Sequence, residues 1–312
     1  MSRNPRFLNV GGLSECLEHP WPYALWDHRL PGSLAREPAD HREGKGVLER
    51  HPWHANQWQD RLQDVPSAEH ALVLFMQAAR WADDIRIRDR QHHRGPWHYI
   101  NWPFKPERQP ASVQTREPEP VNILTAMAEN ESGVKNQNDI DRRAIALAWL
   151  FHLVGDIHQP LHTVQLFTVE YPKGDRGWNE ICVRVTPAGQ PMDLHRFWDS
   201  VITSSSNLIR LRNKARALRN RQGFERGQLT ELASTDFESW AKESFEIAMK
   251  IAYRNDGRIG SPRSENMDCT MVAAAPVVPV GYVVSARRIA DRRMILAGYR
   301  LAGLLTRVTS KL

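Results

Sequence analysis

The sequence predicts an all-α protein, mainly helical, with a single domain, long loops and little sheet. Three observations carry this. Apolar residues recur at helical spacing over several stretches of ten residues or more; prolines and polar residues gather between those stretches; and period-two alternation is confined to one short run. With 41% of 312 residues apolar, the chain has material for a substantial core, which excludes wholesale disorder.

The elements follow in order. Residues 1–46 hold Pro5, Pro20, Pro22, Pro31 and Pro38 with little periodicity, and read as an irregular N-terminal segment ahead of a helical domain over 47–307. Ser67-Ala-Glu-His70 reads as an N-cap opening a helix over 68–90, whose Leu72, Phe75, Met76, Ala79 and Ala82 fall on one face. Residues 103–120 carry five prolines and read as a loop. Further helices are expected over 121–130, 139–155, 193–202, 207–221, 237–253 and 286–305, with a short strand over 181–185.

Several classes of protein are excluded or disfavoured. No window of ~18 uninterrupted apolar residues exists, so no membrane-spanning helix is expected, and nothing calls for a protein partner. No apolar run of the export-signal kind follows Met1, so no signal peptide is expected in the chain as written, and its location is left open. Cys16, Cys182 and Cys269 are too few and scattered for a disulfide framework or a cysteine zinc site. The formal charge of +6 suits an anionic substrate without specifying one. Residues 207–226 hold six Arg and one Lys against one Glu; they read first as a solvated helix face, second as a track for a nucleic-acid backbone.

Histidines and aspartates carry the chemistry. His152 and Asp156 stand four apart, one turn along a helix, and Pro160 bends the chain so that His162 can return to the same place. A second His-x3-Asp pair follows at His195 and Asp199. Apolar neighbours (Leu150, Phe151, Leu153, Leu161, Phe197, Trp198) surround both, where unpartnered polar groups would be costly. Imidazoles and carboxylates together suit zinc. Upstream, Asp83 closes an amphipathic helix and His98 follows 15 residues later in an aromatic-rich turn.

These residues resemble the S1/P1 nuclease family of zinc-dependent single-strand nucleases and 3′-nucleotidases. The likeness lies in Trp81-Ala-Asp83, Trp97-His-Tyr99, the run His152-Leu-Val-Gly-Asp-Ile-His-Gln-Pro-Leu-His162, Asn179, Leu194-His-Arg-Phe-Trp-Asp199 and the helix Ala290 to Ala302. It implies a mainly α-helical, phospholipase C/P1 nuclease-like fold around a zinc cluster. By position, Asp83, His98, His152 and Asp156 would hold one zinc, and His162, His195 and Asp199 a second. The family's third zinc uses an N-terminal Trp that this sequence does not begin with, so two sites are supported and the third lacks a recognisable ligand set. Two further departures concern the cleft. Trp178 stands where the family usually has glycine, adding bulk expected to alter substrate access, and Asn101 stands where Asp is common near the bound base.

The resemblance implies hydrolysis of single-stranded DNA or RNA to 5′-phosphorylated products, with 3′-nucleotidase activity as a second reaction. Zinc would supply hydroxide near neutral pH and neutralise the phosphate. Asp83 would accept a hydrogen bond from the attacking water. Arg86 would contact the phosphate or else pair with Asp83 or Asp89; Tyr99 would stack on a base or else pack in the core; Asn101 and Asn179 would bind substrate. Two alternatives stand beside this reading: a zinc-dependent phospholipase C-like hydrolase, disfavoured because Asp199 replaces the Glu of that branch, and an inactive two-zinc relic.

Overall fold

The computed structural model describes residues 63, 65–88, 91–203, 205, 207–255, 259–263 and 267–309; the expected irregular segment 1–46 lies outside them. Among the described residues the chain folds into seven α-helices: α1 His70–Arg88, α2 Ile123–Asn136, α3 Ile140–Asp156, α4 Leu194–Ser200, α5 Leu208–Arg219, α6 Phe237–Ile247 and α7 Tyr282–Thr309. The expected helical class is the observed one.

Helix α3 sits at the centre. Every residue from Ala146 to Asp156 is buried, so the helix is enclosed on all sides rather than along one stripe. It starts at Asp139, whose carboxylate accepts the backbone N–H groups of Asp141 and Arg142. α1 and α2 pack directly against it, and α7, about 42 Å long at 1.5 Å per residue, crosses behind. Asn122 opens α2 with a capping box completed by Thr125. Asp193 opens α4 by accepting the N–H of Arg196 at 2.7 Å. Trp149, Trp178, Trp198 and Trp240 are the largest fully buried side chains; the Trp198 indole donates to Tyr282 Oη at 3.0 Å, joining α4 to α7.

Sheet is sparse. Strands β1 (Trp102–Phe104) and β2 (Val164–Leu166) pair in parallel, with Trp102 opposite Val164; β3 (Ile181–Val183) lies between β4 (Met192–Asp193) and β5 (Ser261–Pro262), antiparallel to both.

Four expectations are corrected. Ser67 does not cap α1: Ser67–Glu69 forms a 3-10 turn and the α-helix begins at His70. The stretch 103–120 is not all loop, because its first two residues complete β1. The helix expected over 237–253 ends at Ile247 and widens into a π-turn over Ala248–Ala252. Finally, Cys182 and Cys269 form a disulfide across 87 residues of chain. The sequence separation hides this pairing, and β3 creates it by lying against the segment that carries Cys269.

Candidate metal centre

Five elements deliver seven side chains to one place. Asp83 comes from α1; His98 from a 3-10 turn at Gly95–His98; His152 and Asp156 from α3; His162 from the 3-10 turn Pro160–Thr163; His195 and Asp199 from α4. All seven candidate ligands of the sequence reading therefore lie together: Asp83, His98 and His152 form one group, His162, His195 and Asp199 an adjoining one, and Asp156 contacts the first.

In the first group, His98 Nδ1, His152 Nε2 and Asp156 Oδ2 lie 2.9–3.0 Å from one another. Asp83 Oδ1 stands 3.7 Å from His152 Nε2 and 3.9 Å from His98 Nδ1. Zinc–nitrogen bonds of ~2.0–2.1 Å at tetrahedral angles put ligand atoms ~3.3 Å apart, so these spacings bracket the edge of one tetrahedron. In the second, Asp199 Oδ1 is 4.0 Å from His162 Nε2 and Asp199 Oδ2 is 3.8 Å from His195 Nε2. Asp156 lies between the two: its Oδ2 belongs to the first group, and its Oδ1 is 3.8 Å from His162 Nδ1, on the side of that ring turned away from Asp199.

The tautomers fit a cation. His152 Nδ1 donates to Ala79 O (2.9 Å), His162 Nδ1 to His98 O (2.7 Å) and His195 Nδ1 to Gly177 O (2.7 Å). Each bond fixes a ring and aims Nε2 into its group, the atom that a cation would take once any proton there has left. Asp199 is oriented in turn by Gln159, whose amide donates to Oδ1 at 2.9 Å. Electrostatics agree. Burial works against a charged His152, but the carboxylates of Asp156 and Asp83 outweigh it and raise the ring to about 9. Burial also opposes the Asp156 anion, yet His152 and His162 hold it well below the usual carboxylate range. His162 goes the other way: burial lowers it to about 4 despite Asp156. The attraction that keeps a proton on His152 is the attraction a divalent cation would meet.

The remaining candidates lie around this centre. Arg86 is exposed on α1, one turn beyond Asp83. Near it stands His93, lowered by burial and by the charges of His98 and Arg86. Tyr99 is 40% exposed, so it is not a core residue, whereas Trp97 and Trp102 pack on the core. Asn101 is half-buried just before β1. Asn179 is turned back on its own loop, its amide donating to Arg176 O at 2.7 Å. Trp178 corrects the sequence reading: it does not obstruct the cleft, being fully buried with its ring 4.2 Å from that of Tyr253. Sequence reasoning passed over Gln159, although it lies inside the informative run, and the carbonyls of Ala79, His98 and Gly177, which no residue identity could reveal.

A sequence profile described as S1/P1 Nuclease matches residues 51–310. The chain belongs to the S1/P1 nuclease family. Similar family members include Endonuclease 3 of Arabidopsis thaliana, 31% identical over 203 residues, which are 61% of this chain and 58% of that protein. Endonuclease 4 of the same plant is 30% identical over 203 residues, 60% of this chain and 56% of the relative. Nuclease S1 of Aspergillus oryzae (strain ATCC 42149 / RIB 40) is 28% identical over 123 residues, 39% of each chain. The chain thus spans less than two thirds of the length of these S1/P1 relatives.

Proposed function

We propose that this protein is a zinc-dependent endonuclease that hydrolyses single-stranded DNA or RNA to 5′-phosphorylated products, with 3′-nucleotidase activity. The observation that carries the reading is the pair of adjoining histidine–aspartate groups with Asp156 between them. In this reading Asp83, His98, His152 and Asp156 hold one zinc, and His162, His195 and Asp199 a second. Bound there, zinc would supply hydroxide at neutral pH and offset the charge of the phosphate.

The chain's own groups divide the remaining work. The Asp83 carboxylate, 23% exposed at the mouth of the first group, accepts a hydrogen bond from the attacking water. Arg86, exposed one turn further along α1, meets the phosphate. Tyr99 offers an exposed ring directly after His98 on which an unpaired base can stack. Asn101 is the candidate contact to the base edge. Asn179 would have to release Arg176 O before its amide could serve a substrate.

The test pairs elemental analysis with cleavage of a single-stranded oligonucleotide. Two or more zincs per chain, chelator-sensitive cleavage and 5′-phosphate ends are expected. Zinc without cleavage would favour the relic, and no zinc would overturn the reading. The Cys182–Cys269 disulfide further supports work in an oxidising compartment; recovery of the chain from its native source with both thiols free to alkylation would refute that.

A further inference from the structure

We infer that Arg293 and Arg300 of α7 are positioning residues for the metal centre, acting through the turn Ile157–Gln159. The inference rests on the ligand assignment proposed above. That turn follows Asp156 and precedes His162, and its Gln159 amide holds Asp199, so three of the seven candidate ligands depend on its shape.

The turn is gripped from behind. Arg293 Nε donates to His158 O at 3.3 Å, and its amino groups reach Trp240 O (3.1 Å), Ser244 Oγ (2.6 Å) and Glu243 (2.5 Å). Ser244 Oγ in turn donates to Ile157 O at 2.6 Å. Arg300 donates to His158 Nε2 at 2.9 Å, to both carboxylate oxygens of Glu243 (2.7 and 2.6 Å) and to Glu231 O (2.6 Å). His158 Nδ1 donates to Val154 O at 2.7 Å, which makes its Nε2 the acceptor Arg300 requires. The carbonyls of Ile157 and His158 and the His158 ring are thus all fixed by α6 and α7.

Packing alone does not account for this arrangement. The two guanidinium side chains are 3% and 2% exposed and share Glu243 as their carboxylate. Burying such charges is expensive, and apolar side chains of similar volume would fill the space at lower cost. What the clamp adds is direction: forked, rigid donors hold a turn to one geometry where an apolar contact would let it shift.

The test uses the full chain with Arg300→Lys, which keeps the charge and loses the fork. Zinc affinity is read by competition with a chromogenic chelator, fold by circular dichroism and thermal unfolding, and kcat and KM on a single-stranded oligonucleotide. The expected result is a folded protein whose zinc affinity and kcat fall about 10- to 100-fold, the range for groups that orient metal ligands, with KM nearly unchanged. Arg292→Lys, next along α7 and paired with Glu231, should leave both unchanged. A lower unfolding temperature with zinc affinity and kcat intact would make the clamp merely structural and overturn the inference. If Arg300→Lys does not fold, the isosteric Glu243→Gln replaces it; reduced zinc affinity is again expected and unchanged affinity overturns. Absence of zinc from the wild type would overturn the ligand assignment, and the clamp with it.

Discussion

Gly177 leaves no room for a side chain. Its φ of +61° lies in the left-handed region, and a Cβ there would come within 2.7 Å of Leu161 O. Its own carbonyl accepts His195 Nδ1. Gly177→Ala should therefore lower stability by at least ~1 kcal/mol from backbone strain and also weaken zinc binding, read by thermal unfolding and chelator competition. Unchanged values for both would contradict this. Two residues earlier, Asp175 braces the same loop by accepting from Leu166 N, Gly177 N, Trp178 N and Tyr253 Oη. Burial pushes its carboxyl up to about 7, against those four donors. A carboxyl raised above its ordinary 3.8 contributes stability that is complete at low pH and is lost as pH rises through about 7. The stability difference between wild type and Asp175→Asn should shrink from pH 4 to 8 by an amount of order 4 kcal/mol at most. A difference flat in pH would refute the assignment.

At the level of elements, the disulfide ties β3 to the segment carrying Cys269, and β3 pairs with β4, whose Asp193 caps α4. Replacing both cysteines with serine should cost about 2–4 kcal/mol in chemical unfolding, since the closed loop spans 87 residues. Zinc should be lost first from the group that includes His195 and Asp199; equal loss from both groups would argue against β4 as the route. The helices were legible because a 3.6-residue period survives in α1 and α2, and in the enclosed α3 the His-x3-Asp spacing is itself a helical repeat. Of the strands only β3 was legible, in the alternation over 181–185. β1 and β2 are three residues each and pair through backbone groups that any sequence carries. The π-turn after α6 and the cysteine pairing were equally hidden, because both depend on contacts made only once the chain has folded.

For the whole molecule, the centre gathers α1, α3, α4 and two 3-10 turns around buried charge, so metal and fold should stabilise each other. Zinc at 100 times its dissociation constant should raise the unfolding free energy by ~2.7 kcal/mol per site, and chelation should lower the unfolding temperature accordingly. A transition indifferent to chelator would contradict this. His98 of the first group lies four residues ahead of β1, and His162 of the second lies two ahead of β2. The two strands run side by side, and Ile100 N donates to His162 O at 2.8 Å. The separation of His98 from His162 is thus measured out by main-chain pairing, as on a ruler whose marks are peptide units. Most changes of side chain along the ruler leave its length alone. One extra residue between His98 and Trp102 would shift the scale by a full mark, ~3.3 Å, and set His98 out of step with His162 while sparing every ligand.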